Sequence, residues 1–260
     1  MSLIAMAAEG GFHPPGPADF NLPPIVGEVT KPMVLLFLSV VLISVLSYLA
    51  ARKSAIVPSR LQFAGEGLYN FTRNSLGRDI IGSEHFLKFA PYLFALFTYV
   101  LVNNYYGLVP LLQFPSFSRA GFTYALAAMS WLLYNGVGIW KHGFFGYLKH
   151  TCVPPGVSGP MLLMIVPLEF LSNILVRPVT LALRLFANMF AGHLLLILFA
   201  LGGAYLIMEV PSPINIFGGV MAWVMFMMVS VLELLVMFLQ AYVFTLLTAM
   251  YIAGAVSDDH

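Results

Sequence analysis

The chain has 260 residues, of which 60% are hydrophobic and only 9% charged, and its formal net charge is +1. Soluble domains carry about 25% charged residues, so the composition excludes an ordinary soluble domain, and the near-neutral balance argues against nucleic-acid binding. The single cysteine, Cys152, excludes an intrachain disulfide and a cysteine-based metal site. We interpret it as an ordinary loop thiol and predict no metal and no cofactor. Recurrent uncharged apolar runs predict an all-α membrane protein.

The first half of the chain predicts three membrane spans and one surface helix. A Pro- and Gly-rich extracytoplasmic tail covers residues 1–31 and precedes a charge-free span over 32–51. Residues 59–83 place apolar and polar side chains at helical spacing, which predicts an amphipathic helix lying in the membrane interface. Apolar runs over 86–112 and 120–140 predict spans 2 and 3, and the basic segment that follows them is interpreted as a loop.

The second half contains two apolar runs, over 161–208 and 213–256, and each exceeds the roughly 20 residues that one crossing needs. Neither proline nor glycine interrupts residues 220–253, so no turn signal divides the last run into two spans. We therefore predict two long, steeply tilted segments, the first of them bent near its prolines. Residues 32–260 then form a single helical membrane domain with five transmembrane segments and one interfacial amphipathic helix. The positive-inside rule places the N-terminus outside and the C-terminus in the cytoplasm.

Arg184 is the charge that most needs an explanation, because it lies near the middle of the run over 161–208. A guanidinium stays ionised, and at the bilayer centre it costs roughly 2.5 kcal/mol or more on insertion scales. Asn188, one turn later, shares its helix face. Intramembrane charges mark ion or substrate pathways; a buried salt bridge or a cap on helix carbonyls is the alternative. No acid of this chain shares the face and depth of Arg184, so we predict a partner carboxylate from another subunit.

His193 and Glu233 are predicted to form a proton relay. His193 lies half a turn out of phase with Arg184, and an imidazole exchanges a proton near neutral pH. Glu233 is the only acid of the last run. A hydrogen-bonded packing role for His193 is the alternative. Polar residues on a lipid-immersed helix require protein or water beside them. The residues that share the face of Glu233 are Ser230, Gln240, Thr248 and Tyr251.

Further candidates for the lining of a water path lie toward the two membrane faces. Glu169, Ser172 and Asn173 lie together near the cytoplasmic start of their segment, where an interfacial position explains the acid equally well. Arg177 fits an interfacial anchor and a pathway role about equally. Asn104, in "NNYY", fits an outer water path as well as an aromatic belt.

The stretches "RPVTLALRLFANMFAGH" and "LELLVMFLQAYVFTLLTAMYIAGAV" strongly resemble the two signature helices of subunit a of bacterial F-type ATP synthases, and the resemblance extends roughly from Leu35 to Val256. It implies a non-catalytic, proton-translocating stator subunit in the bacterial plasma membrane. The implied partners are a ring of c subunits and peripheral-stalk b-type subunits, besides the lipid bilayer and protons. No phosphate-binding loop is present, so we expect no nucleotide to bind directly.

The resemblance also implies roles for single residues. Arg184 is the expected stator arginine facing the ring carboxylate, with Asn188 and Gln240 as its neighbours. His193 and Glu233 match an acid–histidine pair that well-studied members carry in the opposite order. A proton is then expected to enter from outside past this pair, neutralise a ring carboxylate and leave toward the cytoplasm near Arg184 after the ring has turned.

Asn104 resembles a polar position of the outer half-channel of this family, and Glu169 resembles an acid of the cytoplasmic one. The chain departs from the family near the outer path, because Gly107 replaces a frequent acid. An Asp, Asn and Thr cluster of many members is here Gly121, Thr123 and Ala125. The outer path is therefore expected to depend more strongly on the relay pair and water.

Two other classes of function fit the residues alone. A secondary transporter or anion-binding carrier would use a midplane site at Arg184, although no inverted repeat is visible. A passive membrane anchor would tolerate loss of the charges at Arg184, His193 and Glu233.

Overall fold

In a computed structural model, the described residues are 12, 14–16, 27–52, 58–109, 112, 114–153 and 161–257. Regular structure in these residues is helical, which confirms the predicted all-α class. The elements are α1 (Lys31–Ala51), α2 (Arg60–Phe71), a π-helix (Thr72–Arg78), α3 (Asp79–Ile81), α4 (Phe86–Tyr105), a 3₁₀ turn (Ser116–Ser118), α5 (Ala120–His142), α6 (Phe144–Cys152), α7 (Met161–Phe170), a second π-helix (Leu171–Val176), α8 (Arg177–Met208) and α9 (Pro213–Val256). The predicted tail over 1–31 lies mostly outside the described residues.

Four helical runs of the described chain have both the length and the apolar composition of a membrane-crossing helix. They are Lys31–Ala51, Phe86–Tyr105, Met161–Met208 and Pro213–Val256. The protein is therefore a multi-pass helical membrane protein. Helix α5 is long enough, with 23 residues, but it is not among the four, so the fifth crossing stays a prediction. The helical run over 60–81 agrees with the predicted surface helix, and its place in the interface also stays a prediction.

The last apolar run forms one uninterrupted helix, α9, of 44 residues. Its start is capped by Ser212, whose hydroxyl accepts a hydrogen bond from the Asn215 backbone N–H at 3.2 Å. At 1.5 Å per residue the helix is about 66 Å long, whereas the hydrocarbon core is about 30 Å thick. As predicted, the last apolar run is one helix without a hairpin turn. A helix of this length has to cross the membrane obliquely or extend beyond its hydrocarbon core.

The run Met161–Met208 is helical throughout, with a π-helical stretch (Leu171–Val176) between α7 and α8. Here the Arg177 backbone N–H donates to the carbonyl of Ser172, five residues earlier. Pro178 follows at once and lacks an N–H, so it cannot make the ordinary bond four residues back. A widened turn accommodates this missing donor without breaking the helix.

Two predicted boundaries differ from the structure. The segment after span 3 was expected to be a loop, but it contains α6 (Phe144–Cys152). Gly143, with φ of 71°, ends α5 and lets the chain reverse. The Tyr147 ring then packs onto Gly138, where a Cβ atom would lie 2.2 Å from it. This contact explains why a segment with weak sequence signals is helical.

The second predicted span extended to residue 112, but α4 ends at Tyr105. Gly107 and Pro110 follow the helix end, and both residue types disfavour helix continuation. The residues between α4 and α5 instead include the 3₁₀ turn at Ser116–Ser118.

Helices α8 and α9 pack as an antiparallel pair that forms the centre of the molecule. Gly203 lies against Gly219, and farther along the pair Gly192 lies against Glu233 and Arg177 against Tyr251. The α8 and α9 residues meet α4, α5 and the first π-helix in one apolar core. Its fully buried large side chains include Leu76, Phe97, Leu185, Met189 and Met237. Arg184, His193 and Glu233 are thus carried by the two helices of this pair.

Candidate functional site

Arg184 is exposed on α8 while the opposite side of the same helix is buried. Ala182, Leu185 and Met189 are fully buried and anchor that opposite side in the core. Within the described part of the chain, Arg184 makes no hydrogen bond or ion pair. Asn188 lies one turn farther along and is half-buried. The structure therefore presents the cation outward, on a helix whose orientation is held by packing.

Glu233 lies on α9 and is only 4% exposed. Its carboxyl group packs onto Gly192 of α8, so closely that a Cβ atom on Gly192 would overlap Oε2 at 1.9 Å. The Oε1 atom is buried and has no hydrogen-bond partner among the described residues. His193, which follows Gly192, is 8% exposed. The structure thus brings the carboxyl group of one helix against the backbone that carries the imidazole of the other.

Gly192 was missed by the sequence analysis, although a signal was present. A glycine inside a helix costs about 1 kcal/mol relative to alanine, and such a glycine usually marks a close approach. Here it stands next to the histidine that was singled out. Only the fold shows that the approaching group is the Glu233 carboxyl group.

The end of α4 places two asparagine side chains inside the protein. The Asn104 side-chain amide donates to the Met237 carbonyl at 3.1 Å, one turn after Glu233. The amide of Asn103 donates to the Ser39 hydroxyl at 2.9 Å. The side-chain oxygens of both asparagines are buried without a hydrogen-bond partner in the described chain. Asn104 therefore contacts α9 one turn from Glu233. Asn103 belongs to the same "NNYY" stretch that the sequence analysis singled out, whereas Ser39 was not predicted.

The 3₁₀ turn after α4 adds further buried polar atoms. The hydroxyl groups of Ser116 and Ser118 are buried and lack a partner in the part of the chain that is described. Pro115 approaches Gly107 closely, since a Cβ atom on Gly107 would lie 3.2 Å from the Pro115 Cβ. Thr123 is satisfied locally by the Ala120 carbonyl at 2.8 Å. Buried polar atoms are normally paired with protein or water, so this region favours internal hydration.

The polar stripe of α9 faces the protein. Gln240 is 7% exposed and Thr248 is fully buried, while Ser230 and Tyr251 are half-buried. The hydroxyl of Thr248 donates to the Phe244 carbonyl at 2.9 Å, and that of Ser230 donates to a carbonyl of its own helix at 2.7 Å. Ser230 and Thr248 thus use their hydroxyl groups within the helix, whereas no such bond to the backbone of α9 is seen for Gln240 in the described part of the chain.

The residues that were predicted to line a cytoplasmic path make three contacts. The Asn173 amide donates to Glu169 Oε2 at 3.0 Å and to the Thr151 carbonyl of α6 at 2.8 Å. Ser172, half-buried, lies in the same π-helical stretch. The Arg177 guanidinium lies over the Tyr251 ring, 5.2 Å from its centre, which joins the start of α8 to the end of α9.

Cys152 lies at the end of α6 and is buried. Burial raises the pKa of its thiol, and the neighbouring Glu169 carboxylate raises it further. A raised pKa lowers the thiolate fraction, as expected for an ordinary thiol. The predicted loop position was wrong, because Cys152 ends a helix. Among the described residues no group of three His, Cys, Asp or Glu side chains is suited to a metal ion.

The fold and the site together define a class: a multi-pass α-helical membrane protein that carries ionisable side chains within its apolar helices. A family model described as the ATP synthase A chain matches residues 33–253. The chain belongs to this family.

Curated relatives agree over nearly the whole length. ATP synthase subunit a of a Nocardioides species is 57% identical, across 100% of this chain and 98% of that protein. ATP synthase subunit a of Pseudarthrobacter chlorophenolicus is 45% identical, across 100% and 99%. ATP synthase subunit a of Streptomyces lividans is 36% identical, across 96% and 90%.

Proposed function

We propose that the chain is the stator subunit of the Fo sector of a rotary ATP synthase. In this role it provides two offset proton half-channels and the arginine that faces a ring of c subunits, and b-type subunits of the peripheral stalk hold it in place. The observation that carries the proposal is the outward guanidinium of Arg184, which makes no hydrogen bond or ion pair with the described residues. The buried side of the same helix carries the site of Glu233 and His193.

The outer half-channel is proposed to lead to the buried carboxyl group of Glu233. Its support is the polar layer around Asn104, whose amide bonds the Met237 carbonyl one turn from Glu233. A proton held at the Glu233–His193 site is passed to a ring carboxylate. An imidazole suits such a step because its proton exchanges near neutral pH.

The cytoplasmic half-channel is proposed to run past Glu169 and Asn173 toward Arg184. The Asn173 amide donates to the Glu169 carboxylate at 3.0 Å. This pair lies in α7 and the second π-helix, directly before α8, which carries Arg184. The fixed positive charge prevents a direct proton path between the two half-channels and attracts the deprotonated ring carboxylate. Each elementary charge that crosses the membrane then supplies a free energy of roughly 2.3 kcal/mol per 100 mV of membrane potential.

The proposed location is the bacterial plasma membrane, with the N-terminus outside and the C-terminus in the cytoplasm. This orientation rests on the excess of basic residues in the loops assigned to the cytoplasm.

Substitution of Arg184 by alanine tests the proposal. We expect Arg184→Ala to abolish both ATP-driven proton pumping and proton-driven ATP synthesis in reconstituted vesicles, while the complex still assembles, because the exposed side chain is not part of the core. The matched control is Arg78→Ala, which removes an exposed arginine at the end of the first π-helix. Near-normal coupled transport in the Arg184→Ala complex would refute the stator role.

A further inference from the structure

The regular hydrogen-bond ladder of the run Met161–Met208 is interrupted directly before α8. In the second π-helix the Arg177 backbone N–H donates to the Ser172 carbonyl, five residues earlier, and Pro178 has no N–H to donate. Bonds between residues four apart therefore fix the rotation of α8 less firmly here than they do inside a regular helix. A side-chain contact at this point can supply the missing constraint.

Arg177, the first residue of α8, makes such a contact. Its guanidinium lies over the Tyr251 ring of α9, 5.2 Å from the ring centre. A guanidinium stays ionised, and its flat surface stacks on aromatic rings. Both side chains are half-buried, and partial removal from water strengthens the attraction between a cation and an aromatic ring.

Two more tyrosines lie around this contact, one on α5 and one on α6. The Tyr251 ring packs against the Tyr134 ring of α5, with the ring centres 5.4 Å apart. The Tyr147 hydroxyl of α6 donates to Asn135 Oδ1 at 3.1 Å. Burial raises the pKa of Tyr147, and a hydrogen bond and the nearby Arg177 guanidinium partly offset this. Tyr134, Tyr147 and Tyr251, which we call the tyrosine cluster, thus join Arg177 to three other helices.

Arg184 follows Arg177 by seven residues, or about two helical turns, so the two residues lie near the same side of α8. A rotation of α8 about its axis would therefore move both guanidinium groups. We propose that Arg177 is a positioning residue. Its contact with the tyrosine cluster sets the rotation of α8 and with it the direction in which Arg184 points. This role rests on the proposed stator function, in which Arg184 faces the ring.

The test measures the rotation of α8 by disulfide crosslinking in the complete membrane complex. Ala187→Cys and Asn188→Cys, at an exposed and a half-buried position, are each combined with a cysteine near the ring carboxylate of the c subunit. The two positions lie about 100° apart around the helix. The ratio of the two crosslink yields reports a rotation, whereas a generally loosened fold changes both yields together.

We expect Arg177→Gln to change this ratio about fivefold, because the contact of a partly buried cation with an aromatic ring shifts an equilibrium by about that factor. Arg177→Lys keeps a cation and should retain most of the original ratio. Tyr251→Leu should change the ratio in the same direction as Arg177→Gln, and Tyr251→Phe, which keeps the ring, should not. The matched control is Lys149→Gln, which removes an exposed cation of α6 and should leave the ratio unchanged.

The double variant Arg177→Gln/Tyr251→Leu separates positioning from a direct role in the proton path. It should resemble the more affected single variant, because the two side chains act as one unit. Independent effects of the two changes would show that Arg177 acts without the Tyr251 ring, and they overturn the proposal.

Two further outcomes distinguish this proposal from the stator function on which it rests. An unchanged ratio in Arg177→Gln overturns the positioning role and leaves the stator function intact. Absence of both crosslinks in the protein with native Arg177 means that this side of α8 does not face the ring, and it overturns the stator function together with the positioning role.

Discussion

At the scale of single residues, Gly192 decides where the Glu233 carboxyl group lies. We predict that Gly192→Ala lowers passive proton flow through the stripped membrane sector roughly a hundredfold, the order of loss that a misplacement of about 1 Å causes. The added methyl group would overlap Oε2, which lies 1.9 Å from the ideal Cβ position. The carboxyl group must then rotate away from the backbone beside His193.

The matched control for this change is Gly136→Ala in α5, where an added Cβ meets no atom within 4 Å. It should conduct like the unmodified protein. Shortening the acid in Gly192→Ala/Glu233→Asp should restore part of the flow, because the shorter side chain avoids the new methyl group. If Gly192→Ala conducts normally, the position of the carboxyl group is not important for proton transfer.

The proposed relay makes a second prediction at this scale. Glu233→Gln and His193→Ala should each slow passive proton flow, measured at several pH values. The double variant should be little worse than the slower single variant, because residues that act as one unit have non-additive effects. Contact of the Glu233 carboxyl group with Gly192, next to His193, supplies the structural reason.

The exchanged variant His193→Glu/Glu233→His should conduct better than either exchanged position alone, since it restores one acid and one imidazole in the order that the resemblance implies for other members. Fully multiplicative losses, with no recovery on exchange, would show that the two residues act independently. In that case at least one of the two residues has only a packing role and takes no part in proton transfer.

At the scale of elements, the α8–α9 pair depends on small residues where the helices cross. A Cβ atom on Gly219 would lie 2.9 Å from the Gly203 carbonyl oxygen and 2.5 Å from the Ile207 side chain. Backbone cannot move aside as a flexible side chain can. Close helix–helix contact through glycine is typical of membrane proteins.

We therefore predict that Gly219→Ala destabilises the helix pair by about 1–3 kcal/mol, the usual cost of overpacking. Thermal unfolding of the detergent-solubilised complex measures this as a lower Tm. The neighbouring Gly218→Ala is the control, because its Cβ would make only an ordinary contact, 3.7 Å from Leu206. An equal Tm for the two variants would mean that the crossing is more adaptable than its geometry indicates.

The element scale also shows why α6 was not predicted while α9 was. Helix α9 has an apolar composition without breakers, and both properties can be read along the chain. Helix α6 is short, and isolated short helices are marginal. It is stabilised by contacts from other elements, namely Tyr147 on Gly138 and the hydrogen bond from Asn173 to the Thr151 carbonyl. Contacts of this kind cannot be predicted from the local sequence of α6.

At the scale of the whole molecule, Arg184 and the Glu233 site lie on different sides of α8. We predict that Arg184→Cys and Asn188→Cys each form a disulfide crosslink with a cysteine placed near the ring carboxylate of the c subunit. Arg184 is exposed and Asn188 half-buried on one side of the helix, whereas Leu185 is fully buried. Leu185→Cys is thus the control that should not crosslink. Crosslinking of His193→Cys alone would show that the opposite side of α8 faces the ring.

Family membership bears on the classes of function that the residues left open. A carrier or a passive anchor remained compatible with the motifs alone, but the match over residues 33–253 and the curated relatives favour a role in ATP synthase. The stator arginine and the half-channels stay proposals, and the Arg184 and relay experiments distinguish them from an anchoring role.

The sequence by itself determined the helical membrane class, the single long helix α9 and the half-turn that separates Arg184 from His193. These properties depend on composition and on the 3.6-residue period of the helix, both of which are local. Only the tertiary structure decided that Glu233 lies on Gly192 and that Asn104 bonds the Met237 carbonyl. Both contacts join residues on different helices, so their geometry follows from packing and cannot be read from sequence periodicity.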